Sequence, residues 1–211
     1  MAKTKKRSSK KTKNKTRRNK SSKSKKRSDG TLIFKDYPDF RPNLTPREIF
    51  KLGSFGGTYW RPIYSSVVDK NLKNVHKKYP KSWWKGIPDH HLTRSFDEYD
   101  TKINKYGAKV GTTLEFWEGK KWITKYHPYG WVQWYCDFYQ GKRTPDDERQ
   151  IGRWSALTGD KGRFKNFLIN LIKKKHKKDL KKGLDDYLVS PKIRQVLQHW
   201  GYKLKLSDLK S

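Results

Sequence analysis

The fold of this chain is decided by residues 126–154, which read YHPYGWVQWYCDFYQGKRTPDDERQIGRW. Eight of these residues are aromatic. The first half predicts a helix, because its large rings recur every three to four positions and so share one face. Gly141 is expected to end this helix, since glycine enters the left-handed backbone region at little cost. The rings on that face are Trp131, Trp134, Tyr135 and Phe138.

The second half of the stretch predicts another helix. Thr144 is placed to cap its free amides, and Pro145 has no amide to lose in the first turn. Asp146 and Asp147 suit the positive end of the helix dipole, and Trp154 is expected to face the core. The stretch therefore predicts a helical hairpin with an aromatic core. Its expected basic rim consists of Lys142, Arg143, Arg149 and Arg153.

Short motifs elsewhere predict further elements. Thr45-Pro46-Arg47-Glu48 is typical of a capping box at the start of a helix. The alternating residues 112–117 predict a strand that pairs with residues 122–124 as a β-hairpin. A third long helix is predicted over residues 164–172, with Phe164, Phe167, Leu168, Leu171 and Ile172 on its inner face. A last helix is predicted from Ser190-Pro191, with four residues facing inward, namely Ile193, Val196, Leu197 and Trp200.

These elements predict the fold class α+β, mostly α. We expect one compact aromatic-cored domain over residues 29–211, with a small β-hairpin and a lysine-rich segment at 173–182. Residues 1–28 are expected to form a disordered Lys/Arg/Ser-rich arm, because they lack the apolar residues that would offset the entropy of ordering. The glycines of residues 53–57 are expected to let the backbone turn and approach neighbouring rings.

Charge is the property that most narrows the function. The chain has 52 Lys/Arg against 20 Asp/Glu, a net charge of +32. Residues 1–28 hold 15 of the basic residues and no acid, so the remaining 183 residues are basic as well. This balance predicts a polyanion partner, with nucleic acid the first candidate and an anionic membrane surface a distant second. The arm itself is either a solvated tail or a segment that neutralises phosphates.

Several protein classes are not supported by the sequence. The single cysteine, Cys136, excludes an internal disulfide framework and a cysteine-based zinc site. No apolar run is long enough for a transmembrane helix, and the N-terminus does not resemble a secretory signal. His90 and His91 lie near several acids, but their spacing matches no established metal-ligand pattern. No cofactor and no metal are therefore predicted, and the basic runs at 3–7 and 23–27 favour the nucleus or a virion.

Four stretches of the chain resemble a known protein family. They are SFGGTYWRPI (54–63), NKYG (104–107), residues 127–154 and SPKIRQVLQHW (190–200). They resemble a poorly characterised Trp-rich family of fungi, algae and large eukaryotic DNA viruses, over most of residues 37–202. The resemblance implies a eukaryotic or viral setting. It implies no activity, because none is established for that family, and it therefore assigns no catalytic residue.

The leading hypothesis is a non-enzymatic, largely sequence-independent nucleic-acid-binding protein that neutralises phosphates with its arm and a basic domain surface. Exposed rings, such as those of Tyr129 or Trp83, are candidates to stack on unpaired bases. The expected contacts are Lys5, Lys6, Arg7, Arg17, Arg18, Lys25, Lys26, Arg27, Lys142, Arg143, Arg149, Arg153, Lys173, Lys174, Lys175, Lys177 and Lys178.

Two alternatives remain open at this point. One is a structural component of a virion or of chromatin, which would contact other proteins of that assembly. The other is a metal-dependent, nuclease-like enzyme in which Asp146, Asp147 and Glu148 hold Mg²⁺. The same three acids are also favoured at a helix N-terminus for stability alone.

Overall fold

The computed structural model describes residues 24–210. The α-helices are α1 (Pro46–Lys51), α2 (Lys81–Trp84), α3 (His90–Thr93), α4 (Leu114–Gly119), α5 (Trp131–Tyr139), α6 (Asp147–Thr158), α7 (Arg163–Lys175), α8 (Leu180–Asp185), α9 (Pro191–His199) and α10 (Leu206–Lys210). Two antiparallel pairs join β1 (Lys25–Lys26) to β2 (Leu32–Ile33) and β3 (Ile63–Ser65) to β4 (Lys70–Leu72). The prediction of an α+β, mostly helical fold with an aromatic core is confirmed.

Helix α5 is enclosed by the rest of the domain, and residues 131–138 are all buried. The free amides at its N-terminus therefore need protein partners. The Tyr59 hydroxyl accepts from the Gln133 N–H at 2.8 Å and donates to the Tyr129 carbonyl at 2.7 Å. The side-chain oxygen of Gln133 in turn accepts from the Tyr129 N–H at 2.8 Å. A distant tyrosine and a glutamine on the helix itself thus allow a helix to begin inside the core.

Helix α6 is joined to α5 through the buried carboxylate of Asp147. This group accepts from the Trp134 indole N–H at 2.8 Å, and from the Thr144 hydroxyl and N–H at 2.9 and 3.1 Å. The Thr144 hydroxyl also accepts from the Asp146 N–H at 3.3 Å. The predicted cap is wrong in position, because α6 begins at Asp147 with Asp146 as its N-cap residue, two residues after the predicted start at Pro145. Gly141 has the expected positive φ of 90° in the turn between the helices.

Rings from the N-terminal segment complete the aromatic core. Phe34 and Phe40 stack with centroids 5.2 Å apart, and Phe138 lies edge-on to Phe34 at 4.9 Å. Phe40 also meets Trp154 edge-on at 5.1 Å. Edge-to-face pairs of this kind each contribute about 0.5–1.5 kcal/mol beyond the area they bury. A core of rings is therefore shared between α5, α6 and the chain that precedes α1.

The predicted β-hairpin at residues 112–124 is wrong. Residues 114–119 form helix α4, in which Thr113 is the N-cap and its hydroxyl accepts from the Phe116 N–H at 3.3 Å. An alternating pattern over only six residues is compatible with a strand or with a short helix. The N-cap hydrogen bond of Thr113 favours the helix here. The small hairpin lies instead at β3 and β4.

The inner face predicted for the last helix is also wrong in part. Helix α9 buries Leu197 as expected, but it also buries Arg194, Gln195, Gln198 and His199. The reason is that α9 packs against loops whose backbone groups need partners. The Gln198 amide, for example, donates to the carbonyl of Gly53 at 2.8 Å. The inner face predicted for α7 is wrong at one position, because Phe167 is 53% exposed.

The predicted arm is shorter than expected at its C-terminal end. Lys25 and Lys26 pair with Leu32 and Ile33, and the Lys26 ammonium lies 2.7 Å from a Glu48 carboxylate oxygen. Residues 24–28 therefore belong to the folded domain, because a strand partner and an ion pair compensate for their lack of apolar side chains. The rest of the predicted arm, residues 1–23, lies outside the described residues.

The capping box of α1 forms as predicted, with both the Thr45 and the Glu48 hydrogen bonds present. The glycine-rich loop that follows α1 approaches a ring closely, also as predicted. Gly56 has a φ of +56°, and a Cβ there would overlap the Tyr99 ring. The loop is held by the Gly56 N–H, which donates to the Asn104 side-chain oxygen at 2.8 Å.

We predict that Gly56→Ala lowers the free energy of unfolding by about 2–5 kcal/mol, because it adds a steric overlap to an unfavourable positive φ. Gly107→Ala is the matched control, since Gly107 has a φ of +63° and open space around the Cβ position. The control should lose only about 1–2 kcal/mol. Urea denaturation measures both values, and equal losses would contradict the close approach.

Candidate functional site

The predicted basic rim is divided between two places in the structure. Arg143 is bound on several sides: its guanidinium contacts Asp36 through two nitrogens at 2.6 and 3.1 Å, and it lies 3.7 Å from the centre of the Phe138 ring. Lys142 lies 3.1 Å from Asp137. These two residues therefore stabilise the turn after α5, and the Lys142 ammonium remains exposed.

Arg149 and Arg153 lie together on α6, as the spacing predicts. Arg149 contacts Asp146 through two nitrogens at 2.6 and 2.9 Å. Both arginines also donate to the Trp122 carbonyl, at 3.4 Å from Arg149 and 3.2 Å from Arg153. The two side chains therefore fix the loop after α4 onto α6.

The lysine-rich segment contains the most exposed of the predicted contacts. It begins in the last turn of α7, where Lys175 lies 3.0 Å from Asp186. Lys174, Lys177 and Lys178 are exposed and have no carboxylate partner among residues 24–210. Lys173 is partly buried. A concentration of unpaired ammonium groups therefore lies between α7 and α8.

The remaining predicted contacts lie near the N-terminus. Lys25 and Arg27 are exposed, whereas Lys26 forms its ion pair with Glu48. The others precede Ser24 and lie outside the described residues: Lys5, Lys6, Arg7, Arg17 and Arg18.

The acids considered as metal ligands are used in the packing of α6. Asp146 accepts from Arg149 and from the Gln150 amide at 2.8 Å, and Asp147 accepts from Trp134 and Thr144. These contacts support a stabilising role of both acids at the start of α6. In the described part of the chain, no group of three or more His, Cys, Asp or Glu residues is arranged to hold a metal ion.

A third buried acid, Asp137, lies beside one histidine and two lysines. His127 Nε2 lies 3.6 Å from its carboxylate, and the ammonium groups of Lys78 and Lys142 lie at 3.4 and 3.1 Å. Burial raises the pKa of Asp137, but the hydrogen bond from His127 and the two lysines lower that pKa further, so the net shift is downward. The neighbouring thiol of Cys136 is fully buried, and this burial raises its pKa. Asp137 is therefore a stabilising charge and Cys136 is not a nucleophile.

A cavity of about 570 Å³ opens where α4, α6 and α9 meet. Four tryptophans line it, and none of its lining residues is acidic. Its volume lies within the range of small-molecule sites, roughly 300–1,000 Å³. The sequence analysis did not predict this cavity. The tryptophans are Trp117, Trp122, Trp131 and Trp200.

Arg153 is one of two arginines in the wall of this aromatic cavity, and the other is Arg163. The Arg153 guanidinium carbon lies 5.3 Å from the ring centres of both Trp122 and Trp200. Desolvation, followed by the nearby charge of Arg149, lowers the pKa of Arg153 to about 10. The group is thus still charged at neutral pH, yet no carboxylate within residues 24–210 forms an ion pair with it. Its Nη1 is bonded to protein, while Nε and Nη2 have no hydrogen-bond partner there.

Two exposed rings line the cavity, and exposed lysines neighbour them in the sequence. Phe116 and Trp122 are 43% and 40% exposed and meet edge-on, with ring centres 5.7 Å apart. Lys120, Lys121 and Lys125 lie on the same short segment and are exposed. A sequence signal for this surface does exist, since residues 116–126 read FWEGKKWITKY, but this stretch is predicted as the end of one strand, a loop and a second strand of a β-hairpin. We call this surface, residues 116–126 with Arg153, the aromatic–basic face.

The two rings predicted to stack on bases lie elsewhere. Tyr129 is buried, and its hydroxyl donates to the Arg61 carbonyl at 2.7 Å. Trp83 is partly buried against Tyr79, with the rings parallel and 5.6 Å apart. Both rings are therefore used for packing, and the exposed rings of the aromatic–basic face were missed.

His199 lines the inner wall of the cavity in a defined tautomer. Its Nε2 accepts from the Phe55 N–H at 3.2 Å and from the Gln195 amide at 3.0 Å, which places the ring proton on Nδ1. This Nδ1–H has no acceptor among the described residues. Burial lowers the pKa of His199 to about 3, so the ring is neutral at pH 7. The cavity thus contains an uncharged donor as well as a charged guanidinium.

Comparisons of the chain with protein-family models, with curated proteins and with solved structures give no match. The resemblance to the Trp-rich family therefore stays a prediction. Within residues 24–210, no helix has the length and apolar character needed to cross a membrane.

We predict that the buried neutral His199 makes the domain less stable in mild acid. Its folded pKa of about 3 lies below the unfolded value of about 6.5, so this contribution is fully present above pH 6.5 and is lost as the pH falls towards 3. Between pH 7 and pH 5 the loss from this group should be about 2 kcal/mol. His199→Gln, which keeps an acceptor for the Phe55 N–H, should remove that part of the pH dependence in urea denaturation.

The matched control for this measurement is His90→Gln, because His90 is exposed on α3. The control should retain the full loss of stability between pH 7 and pH 5. If His199→Gln retained it as well, His199 would not be the neutral, buried group described here.

Proposed function

We propose that this protein is a non-enzymatic, largely sequence-independent nucleic-acid-binding protein that acts in the nucleus or in a virion. The observation that carries the proposal is the group of exposed lysines at the end of α7 and in the loop before α8, which have no carboxylate partner within residues 24–210, namely Lys174, Lys177 and Lys178. The proposal includes the basic residues 1–23 as further phosphate contacts. Nucleic acid fits this pattern because it is a polyanion whose charges are spaced along a flexible or regular backbone.

The placement of the acids supports a surface that attracts phosphates. The described part of the chain holds 40 of the 52 Lys/Arg and all 20 Asp/Glu. Asp137, Asp146 and Asp147 are buried beside α5 and α6, so their charges are used in packing. The surface of the described domain therefore keeps a large excess of exposed Lys/Arg over exposed Asp/Glu, and long-range attraction of a polyanion follows.

The contacts that are available favour binding without sequence readout. Lysine ammonium groups bind phosphates as point charges and do not distinguish base edges. The expected signature is a steep dependence of affinity on salt, since each phosphate contact releases condensed counterions.

We predict that replacing Lys174, Lys177 and Lys178 together with glutamine weakens the binding of the full chain to duplex DNA. The slope of log K against log salt should become shallower by about 2–3, because each lost phosphate contact removes about 0.9 from the slope for B-DNA. Fluorescence anisotropy of a labelled duplex at several salt concentrations measures this slope.

A second triple variant distinguishes a located contact from the loss of net charge. Lys51, Lys81 and Lys85 are also exposed, on or beside α1 and α2, and their replacement by glutamine removes the same charge. This control should change the slope by less than 1. Equal changes in the two variants would contradict a binding surface between α7 and α8, and the absence of salt-dependent binding to any nucleic acid would overturn the proposed function.

A further inference from the structure

The aromatic cavity contains features that the phosphate contacts do not explain. It has a charged, half-buried guanidinium that forms no ion pair with any carboxylate of residues 24–210, a neutral histidine donor and exposed rings in its lining. A half-buried charge with no counterion is unfavourable unless a ligand supplies one. We propose that the cavity receives an unpaired base of a single-stranded nucleic acid, with Arg153 facing the adjoining phosphate. This inference rests on the proposed function and names the form of nucleic acid that this site would bind.

The positive charge of the cavity lining determines that its ligand should carry a negative charge. Its two charged lining residues, Arg153 and Arg163, are both cationic, and none of its other lining residues is acidic. A cationic ligand would be repelled, and a neutral apolar ligand would leave the Arg153 guanidinium without a counterion. A ligand with both an apolar part and a negative charge satisfies the site, and a nucleotide has both.

The exposed rings in the lining determine the shape of the ligand. Phe116 and Trp122 expose about two fifths of their surface. An aromatic ring gains from offset or edge-to-face contact with another ring, which an alkyl chain does not provide. The planar base of a nucleotide is therefore favoured over the chain of a fatty acid. Stacking also tolerates any base, which agrees with binding that does not depend on sequence.

The cavity also favours single-stranded over double-stranded nucleic acid. In a duplex each base is stacked and paired, so its face cannot reach Trp122 unless the base leaves the helix. A single strand presents its bases without that cost. The His199 Nδ1–H at the inner wall provides a donor for a base carbonyl or ring nitrogen. The aromatic–basic face should therefore prefer single strands, whereas the lysines between α7 and α8 bind either form.

The test compares three probes of the same length on the full chain: a short oligothymidylate, an abasic strand of identical phosphate number, and a duplex. We expect the oligothymidylate to bind about tenfold more tightly than the abasic strand, which is the effect of one stacked base. Trp122→Ala should reduce this ratio to near one while leaving the abasic affinity within about twofold. Phe116→Ala is a second variant with the same expectation, and both variants are checked for an unchanged thermal midpoint.

Phe167→Ala is the matched control, because Phe167 is 53% exposed on α7 and does not line the cavity. It should leave the ratio unchanged. A ratio near one in the unmodified chain, or a tenfold ratio that survives in both Trp122→Ala and Phe116→Ala, would overturn the base-binding proposal while the proposed function stands. Failure of all three probes to bind would instead overturn the proposed function itself.

Discussion

The structure depends on the burial of α5, and therefore on the few polar groups that allow a helix to be buried on every side. The Tyr59 hydroxyl and the Gln133 side chain satisfy its N-terminus, while the Asp147 carboxylate binds the Trp134 indole on its flank. An unsatisfied buried donor costs about 1–3 kcal/mol, so these partners are required rather than incidental. They also fix the orientation of α5 in the core, because Tyr59 precedes α5 in the sequence and Asp147 follows it. The aromatic core can then pack around one well-defined axis.

The packing of α5 and α6 uses buried carboxylates, and this explains why acidic groups lie inside the domain while many lysines lie on its surface. The buried carboxylates of Asp137, Asp146 and Asp147 each have several donors, and these contacts stabilise the packing of α5 and α6. The exposed lysines between α7 and α8 and in residues 120–125 have no comparable partners within the described chain. Arg153 is intermediate, since it packs beside two tryptophans but forms no ion pair within the described part of the chain. Because these carboxylates are used in packing, the lysines remain on the surface without carboxylate partners among residues 24–210, and Arg153 lies in the wall of the cavity.

The sequence predicts the elements whose signals are local. The period of the rings identifies α5, Gly141 marks its end, and Thr45 with Glu48 identifies the start of α1. It fails where the outcome depends on distant partners. The polar face of α9 is buried because loop carbonyls near Gly53 need donors, and nothing within α9 shows this. The cavity is even harder to predict, because its lining residues are spread over the sequence from Phe55 to Trp200. Residues 116–126 hold four rings and three lysines, but the alternation of residues 112–117 favoured a β-hairpin here.

The central claim is that base binding occurs at the aromatic–basic face and is separate from phosphate binding by lysines. The nine tryptophans provide a direct measurement, because each indole N–H gives its own signal in a ¹⁵N-correlated NMR spectrum. During titration with a short oligothymidylate, the signals of Trp122 and Trp200 should shift, while Trp134, whose indole is bonded to Asp147 in the core, should not. The account would be contradicted if only the backbone amides of residues 173–178 shifted and every indole signal stayed in place.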